Sequence, residues 1–312
     1  MKTNFLPPYW LANRALRPVV SRLLTYFEFR LPEGSSSRPL SYFFLGLRSF
    51  AAFLSSLNAA FPSPASTPDR MIPHPPINAR YASSAEKPAF VRQLFDDGAK
   101  YYDAVVDWGF FHSGAFYRRW AQQRHGLKPG MQLLDVACGT GLMATAAAQI
   151  LGSAGNITGL DPSEGMLAVA RTKLAARFVQ GRAEALPFAD GAFDFLTMGY
   201  ALRHVASLEE TFSEFHRVLR PGGKLLILEV TKPSRRLGAF LFRLYFGWLY
   251  PLLTRLFTRS PDAAKMMTYF WETMDACVPP QSVLDALRAA GFVQVARQPL
   301  LGLFSEYIAV KA

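Results

Sequence analysis

From residue 87 onward, short apolar runs of strand length alternate with stretches whose apolar residues recur at helical spacing. That alternation predicts strand–helix–strand units and a parallel sheet. Helical patterns cover 90–107 and 115–125. An apolar block at 133–142 then breaks into glycine, Leu-Leu-Asp-Val-Ala-Cys-Gly-Thr-Gly-Leu, as a buried strand does when it ends in a tight turn and launches a helix. Further parallel strands are expected at 156–160, 177–180, 193–198 and 224–230. Ser163 can cap the helix that follows the strand at 156–160. Ser207-Leu-Glu-Glu210 is a capping box for a helix with Leu208, Phe212, Phe215 and Leu219 on its apolar face. Pro221-Gly222-Gly223 stops that helix. A helix at 283–290, stopped by Gly291, precedes strands at 292–298 and 304–311. Their connection has hairpin spacing, so the last strand should run antiparallel. The pattern predicts an α/β fold of seven strands, mostly parallel, closed by an antiparallel hairpin.

Upstream, Leu40, Phe43, Phe44, Leu47, Phe50, Ala51, Leu54 and Leu57 recur at helical spacing, with Ser41, Arg48 and Ser55 opposite. This is an amphipathic helix over 40–57, and Arg48 argues against a membrane-spanning one. Three readings of residues 1–85 stand: an extension or disordered tail with the working start near Met71, a membrane contact, or a mitochondrial-type targeting segment. The Pro/Ser/Ala-rich stretch 61–84 reads as a linker, which leaves 86–312 as the folded domain.

Of the net charge of +11, residues 1–85 carry +6 and the larger remainder +5. An anionic surface such as a membrane fits this excess better than nucleic acid, for which no zinc-finger spacing or Lys/Arg run speaks. Cys138 and Cys277 are the two cysteines, without a C-x-x-C pair, so neither a disulfide framework nor a cysteine zinc site is indicated. A reducing compartment fits. The expected location is cytoplasmic and peripheral to a membrane, or mitochondrial if 1–85 is a targeting segment.

In such sheets ligands bind beyond the C-terminal ends of the strands. Asp135, Asp161 and the turn after the fourth strand all fall at that edge. Gly139-Thr-Gly141-Leu-Met-Ala144 also fits the dinucleotide pattern, and an acid placed as Asp161 is suits either a dinucleotide or an adenosine cofactor. The acid inside the first strand, the Pro-Gly-Gly turn and the final hairpin favour the second. The Tyr-x-x-x-Lys of a short-chain dehydrogenase occurs only at Tyr307…Lys311, in the last strand.

The chain resembles class I S-adenosylmethionine-dependent methyltransferases, and within them the ubiquinone/menaquinone-biosynthesis C-methyltransferases. The resemblance runs from about residue 90 to the C-terminus. It rests on Leu134-Asp-Val-Ala-Cys-Gly-Thr-Gly141, Ala183-Glu-Ala-Leu-Pro-Phe188, Ala201-Leu-Arg-His204, Arg217-Val-Leu-Arg-Pro-Gly-Gly223 and Leu228-Glu-Val-Thr-Lys-Pro233. It implies a Rossmann-like fold and S-adenosylmethionine as cofactor. Gly139, Thr140 and Gly141 would pack on its methionine part with Asp135 in support, Asp161 would take the ribose, and Arg182 and Ala183 would line the adenine. Arg182 replaces the family's usual Asp or Asn, Gly199 stands on the cofactor side where quinone enzymes often have Ser, and His204 stands where they have Asn.

The sulfonium methyl is already activated, so the reaction needs no metal, only an acceptor held in line and kept dry. Carbon methylation of a phenol wants a base or a cation beside the phenolate, and Arg203 and His204 are the candidates. For Arg203 the competing reading is an ion pair with a helix carboxylate such as Glu209. Tyr102 and Asp103 resemble the family's N-terminal lid pair, and Tyr269, Trp271 and Glu272 its Tyr-x-x-Glu, which would turn Glu272 to the acceptor. Residues 232–259 carry six basic and no acidic residues among many aromatics. They are expected to form two short helices, part of a lid over 232–276 that suits a lipophilic substrate and an anionic lipid surface. Methylation of a ring carbon in a polyprenyl quinol or phenol is the expected activity. The alternatives are O- or N-methylation of another apolar molecule, a nicotinamide-dependent oxidoreductase, and a non-catalytic binding module. The acceptor's identity and the oligomeric state are not readable from the sequence.

Overall fold

The computed structural model describes residues 71–312, apart from 78, 82, 84 and 111. The amphipathic segment 40–57 and the rest of residues 1–70 lie outside the described residues. In chain order the elements are α1 (Lys87–Gly109), α2 (Gly114–Arg124), β1 (Leu133–Val136), α3 (Leu142–Leu151), β2 (Ile157–Asp161), α4 (Glu164–Lys173), β3 (Arg177–Gln180) and β4 (Phe193–Gly199). There follow α5 (Leu208–Val218), β5 (Leu219–Val230), α6 (Arg236–Phe242), α7 (Tyr250–Thr258), α8 (Pro261–Ala276), α9 (Pro280–Ala289), β6 (Phe292–Leu300) and β7 (Phe304–Lys311).

The strands form one sheet in the order β3-β2-β1-β4-β5-β7-β6. β1 to β5 pair in parallel, and β7 runs antiparallel between β5 and β6, as the hairpin spacing requires. The order reverses direction between β1 and β4, which opens a crevice beyond their C-terminal ends. β5 anchors the sheet: Leu225, Leu226, Ile227 and Leu228 are wholly buried, and each such side chain contributes about 1.5–3 kcal/mol. One face packs on Phe212, Phe215, Val283 and Leu287 of α5 and α9, the other on Ala121, Met143 and Ala147 of α2 and α3.

Two boundaries differ from the sequence reading for physical reasons. The first strand ends at Val136, because Ala137 already has φ +52° and turns the chain out of the sheet. The fifth begins at Leu219 rather than 224. Phe193 pairs with Leu219 and Phe195 with Lys224, so Arg220-Pro-Gly-Gly223 bulges out of a strand that has already started.

The stretch read as a linker is fastened to the domain from Met71 on. Leu208 N donates to Met71 O, Val278 N donates to Pro73 O, and Tyr81 is buried. The expected pair of short lid helices is instead one continuous helical segment, Arg236–Thr258. Pro251 has no N–H to give to the preceding turn, and the chain widens into a π-helix at Arg243–Leu249 rather than breaking. Its inner side chains Phe242, Phe246 and Tyr250 pack with Leu94 of α1 and Met266 and Met267 of α8 in a second core above the sheet edge.

Candidate active site

The glycine turn is built by backbone. Gly139 and Gly141 have φ of +54° and +78°, a region that other residues enter only at a cost. A Cβ on Gly139 would meet nothing within 4 Å, so open space lies over the turn, whereas one on Gly141 would come within 3.3 Å of Ala170 Cβ. Gly139 therefore leaves room for a ligand, and Gly141 lets α4 approach. Cys138 fills the turn's inner side: it is buried, and desolvation pushes its thiol well above the usual range, away from reactivity.

Asp161, at the end of β2, accepts from Gly139 N at 2.8 Å and Ser163 N at 2.9 Å. One carboxylate thus fixes both the glycine turn and the start of α4, where Ser163 Oγ also accepts from Met166 N as the capping pattern predicts. Asp135 is wholly buried within β1. Its Oδ1 accepts from Thr197 Oγ1 at 2.8 Å, while Oδ2 has no partner among the described residues. Desolvation raises its pKa to about 7. Thr197, the Ala144 backbone and the nearby Arg118 charge offset part of the desolvation cost.

α1 closes over this edge. Asp96 accepts from Ser163 Oγ and Gly165 N at 2.6 and 2.9 Å. Asp103 accepts from Thr140 Oγ1 at 2.5 Å and pairs with Lys173, whose Nζ also donates to Thr140 O. Asp103 of the predicted lid pair is thus tied directly to the glycine turn.

At the end of β3 the chain turns through an isolated bridge between Arg182 and Ala185, leaving Arg182 exposed and Ala183 buried. Glu184 accepts from Ala206 N and holds this loop to the one after β4. Gly199 closes β4. A Cβ there would lie 2.7 Å from Met143 Cγ, so in this chain methionine occupies the room that a serine would need. The next residue, Tyr200, has φ +61°, a strained conformation for a tyrosine that carries its ring into the cleft.

Arg203 is 2% exposed. Its partner is Glu229 on β5 and not the helix carboxylate Glu209: Nη1 donates to Glu229 Oε1 at 2.5 Å and to Tyr200 O, and Nε donates to Thr273 Oγ1. Nη2 has no hydrogen bond among the described residues. Burial raises the pKa of Glu229, against the lowering effect of Arg203, and its Oε2 is unpartnered. Arg203 is the one charged wall of a cavity of about 30 Å³ otherwise lined by apolar and aromatic side chains, among them Tyr102, Phe110, Tyr200, Phe246 and Phe270. Beside it, between α1 and α2, opens a cleft of about 320 Å³ bordered by Asp103, Asp107, Arg118 and Leu142, and Val106 lines both spaces.

His204 does not reach the cavity wall. It is stacked on Tyr269 and edged by Phe95, neither ring nitrogen is bonded, and desolvation holds its pKa well below the usual value. It is a neutral ring packed among aromatics. Glu272 also departs from expectation. Both its oxygens are taken by Arg80, at 2.9 Å each, so it clamps the N-terminal segment to α8 instead of facing an acceptor. Sequence reasoning did not single out Glu229, although it lies within the Leu228–Pro233 block. It also missed Lys87, a buried cation donating to Arg203 O and Val205 O that secures the loop after β4. Its helical surroundings gave no sign of either contact.

A buried acid in the first strand, an open glycine turn and a dry cavity at the neighbouring strand end define a methyltransferase of the nucleoside-sulfonium class. The sequence model of the ubiE/COQ5 methyltransferase family matches residues 82–311, and the chain belongs to that family. It is 38% identical to a demethylmenaquinone methyltransferase of Symbiobacterium thermophilum, over 73% of this chain and 95% of that one. It is 33% identical to the ubiquinone/menaquinone biosynthesis C-methyltransferase UbiE of a Shewanella species (strain ANA-3), over 67% of this chain and 85% of the relative. In fold it is similar to a phosphoethanolamine N-methyltransferase of Haemonchus contortus solved with S-adenosyl-L-methionine, with TM-score 0.51, 18% identity, and coverage of 70% of this chain and 59% of the other. The protein is an S-adenosylmethionine-dependent methyltransferase, and the nicotinamide reading is not favoured. Tyr307 and Lys311 lie in β7, and Lys311 bonds Leu219 O at the sheet edge opposite the cleft.

Replacing Asp161 with alanine is expected to lower S-adenosylhomocysteine affinity by ~10²-fold or more, since charge-assisted hydrogen bonds contribute about 1.5–3 kcal/mol each. Calorimetric titration checks this, and wild-type affinity in the variant would remove Asp161 from the cofactor site.

Proposed function

We propose that the enzyme transfers the methyl group to a ring carbon of a lipophilic polyprenyl quinol, working in the cytoplasm at a membrane surface. The observation that carries the reading is the aromatic-walled cavity whose one charged wall is Arg203. The names of the relatives, which concern demethylmenaquinone and ubiquinone/menaquinone biosynthesis, support a quinol as the acceptor. The bound cofactor supplies a methyl group already activated on sulfur. Gly139, Thr140 and Gly141 hold its methionine end, Asp161 the ribose, and Ala183 the adenine. With Nε and Nη1 of Arg203 engaged, Nη2 is left to donate to an acceptor oxygen, stabilising the phenolate that makes the ring carbon nucleophilic. Glu229 and Thr273 fix the guanidinium plane. Phe246, Phe270 and Tyr102 keep water out. A cavity of about 30 Å³ is too small for an aromatic ring, so binding moves these side chains with the lid.

Labelled-methyl transfer from S-adenosylmethionine into a reduced total-lipid extract tests the proposal. Label in the quinol fraction, on carbon by mass analysis, is expected. Label on oxygen or nitrogen, or none in lipid, would overturn it.

Membrane contact is argued from the outer side of the lid. Arg236–Thr258 is long and apolar enough to cross a membrane, yet it joins β5 to α8 within one domain, so it lies on a bilayer rather than spanning it. Leu237, Phe240, Leu244, Trp248, Leu252 and Leu256 recur three to four residues apart on its solvent side, with Phe240, Trp248 and Leu256 at 62, 65 and 60% exposed. Exposed Lys232, Arg236, Arg243, Arg255 and Arg259 flank them. Such a stripe fits an anionic lipid surface. In flotation with vesicles containing phosphatidylglycerol, the wild type should bind, and the triple variant Phe240→Ser, Trp248→Ser, Leu256→Ser should lose ~10-fold or more in partition. Equal partition of the two would sink the contact.

A further inference from the structure

Three phenols share the wall of the cavity at Arg203: Tyr102, Tyr200 and Tyr250. Tyr250 is committed, its hydroxyl donating to Val105 O at 2.9 Å. The hydroxyls of Tyr102 and Tyr200 have no hydrogen bond among the described residues. Desolvation pushes the Tyr200 phenol well above its usual range, so the group keeps its proton and stands as a donor. A donor taken out of water without an acceptor lowers stability.

The backbone is held against its own preference to put this ring there. Tyr200 has φ +61°, its N donates to Leu228 O at 2.6 Å, and its O accepts from Arg203 Nη1 at 2.8 Å. Both main-chain groups are thus locked, one on β5 and one on the guanidinium. The ring is set as well: it stacks on Phe110 at 6.3 Å with 22° between the planes, and the guanidinium carbon of Arg118 lies over it at 5.6 Å. Left-handed backbone at a bulky residue persists where the surroundings over-determine it, and such positions gather at ligand sites. Because the carbonyl of Tyr200 touches the guanidinium, its hydroxyl lies about one ring's length from that contact. The same span separates two hydroxyls at opposite corners of a six-membered ring. Tyr102 is placed differently. Its hydroxyl feels the charges of Asp103 and Asp161 at the cofactor edge, whereas that of Tyr200 feels Arg118 and Glu229, the partner of Arg203.

We infer that Tyr200 determines specificity for the acceptor: its hydroxyl donates to the ring oxygen para to the one that Arg203 meets, so the cavity selects a para-dihydroxy ring over a monophenol. Arg203 stabilises the oxygen beside the carbon that takes the methyl group, and Tyr200 reads the oxygen across the ring. A site built to bond a hydroxyl rejects the analogue that lacks it, because the site's own polar group is then left unpaired. This rests on the quinol reading above and names the residue by which the cavity tells a quinol from a phenol.

Labelled-methyl transfer by the full chain to two acceptors tests the inference. One is a geranylated para-dihydroxynaphthalene kept reduced, the other the geranylated naphthol that retains only the hydroxyl beside the acceptor carbon. The rings differ in intrinsic reactivity, so the quantity compared is the ratio of their kcat/KM values in Tyr200→Phe against the same ratio in the wild type. The variant should lose ~3–10-fold on the dihydroxy ring, the range of one neutral hydrogen bond, and stay within about twofold on the naphthol. Its affinity for S-adenosylhomocysteine should also hold within about twofold. Because the hydroxyl bonds nothing in the free enzyme, ligand-free Tyr200→Phe should melt within about 2 °C of the wild type. An unchanged ratio, a fall in cofactor affinity or a sharp fall in melting temperature overturns the assignment. So does a Tyr102→Phe variant that shows the ratio change while Tyr200→Phe does not. Wild-type protein that methylates neither ring overturns the quinol reading beneath the inference. Methylation of both rings with the same ratio in wild type and Tyr200→Phe leaves that reading standing and removes this inference alone.

Discussion

Arg203→Met should lower turnover by ~10²–10³-fold, the cost of removing one donor aimed at developing negative charge, while changing S-adenosylhomocysteine affinity less than about twofold. Two effects must be separated in that experiment. Arg203 is buried against Glu229, and removing one partner of such a pair typically costs about 3–5 kcal/mol because the other is stranded. Glu229 would meet that loss partly by taking a proton, since burial already favours its neutral form. The double variant Arg203→Met, Glu229→Gln removes the stranded charge, so it should recover much of the thermal stability without recovering turnover. If the double variant turned over at the wild-type rate, Arg203 would be a structural cation and the phenolate role would fall. Loss expressed in KM alone, with kcat unchanged, would place it in substrate holding instead.

The sheet was legible because its signals are local. Alternating periods, the capping serines Ser163 and Ser207, and glycines that turn the chain are written within a few residues of the elements they shape. β3 and β7 match their expected bounds for that reason. The lid was misread because Pro251 is a helix breaker by local rules, and only the surrounding helices let the chain absorb it as a π-turn. Contacts between distant segments were the least visible. Arg80 with Glu272, Arg203 with Glu229 and Asp103 with Thr140 join residues 192, 26 and 37 positions apart. No spacing rule connects them. The family motif placed Arg203 correctly at the strand end but could not say which carboxylate it would face. His204 was read by its type, and a histidine without a partner on either nitrogen behaves as an aromatic filler.

Asp135→Asn should divide stability from binding, making the ligand-free enzyme more stable at pH 8 and a poorer binder of cofactor. The carboxyl has a pKa of about 7 in the fold against 3.8 for a solvated aspartate, with desolvation the main cause. A raised acid pKa means that the native state holds the proton more tightly than the unfolded chain. Its favourable contribution is full below about pH 4 and is lost as the pH rises through about 7. At pH 8 the folded enzyme therefore bears the charge at a cost of up to about 4 kcal/mol. Asparagine copies the protonated form, and its amide oxygen can still accept from Thr197 Oγ1. Its advantage in melting temperature, at about 2–4 °C per kcal/mol, should be present at pH 8 and shrink as the pH is lowered toward 4. S-Adenosylhomocysteine affinity should meanwhile fall by ~10-fold or more, as the acid behind the glycine turn loses its charge. Equal melting temperatures at pH 8 would mean that water or a neighbouring cation already compensates the buried charge. Unchanged affinity would mean that the acid inside β1 serves the sheet and not the ligand.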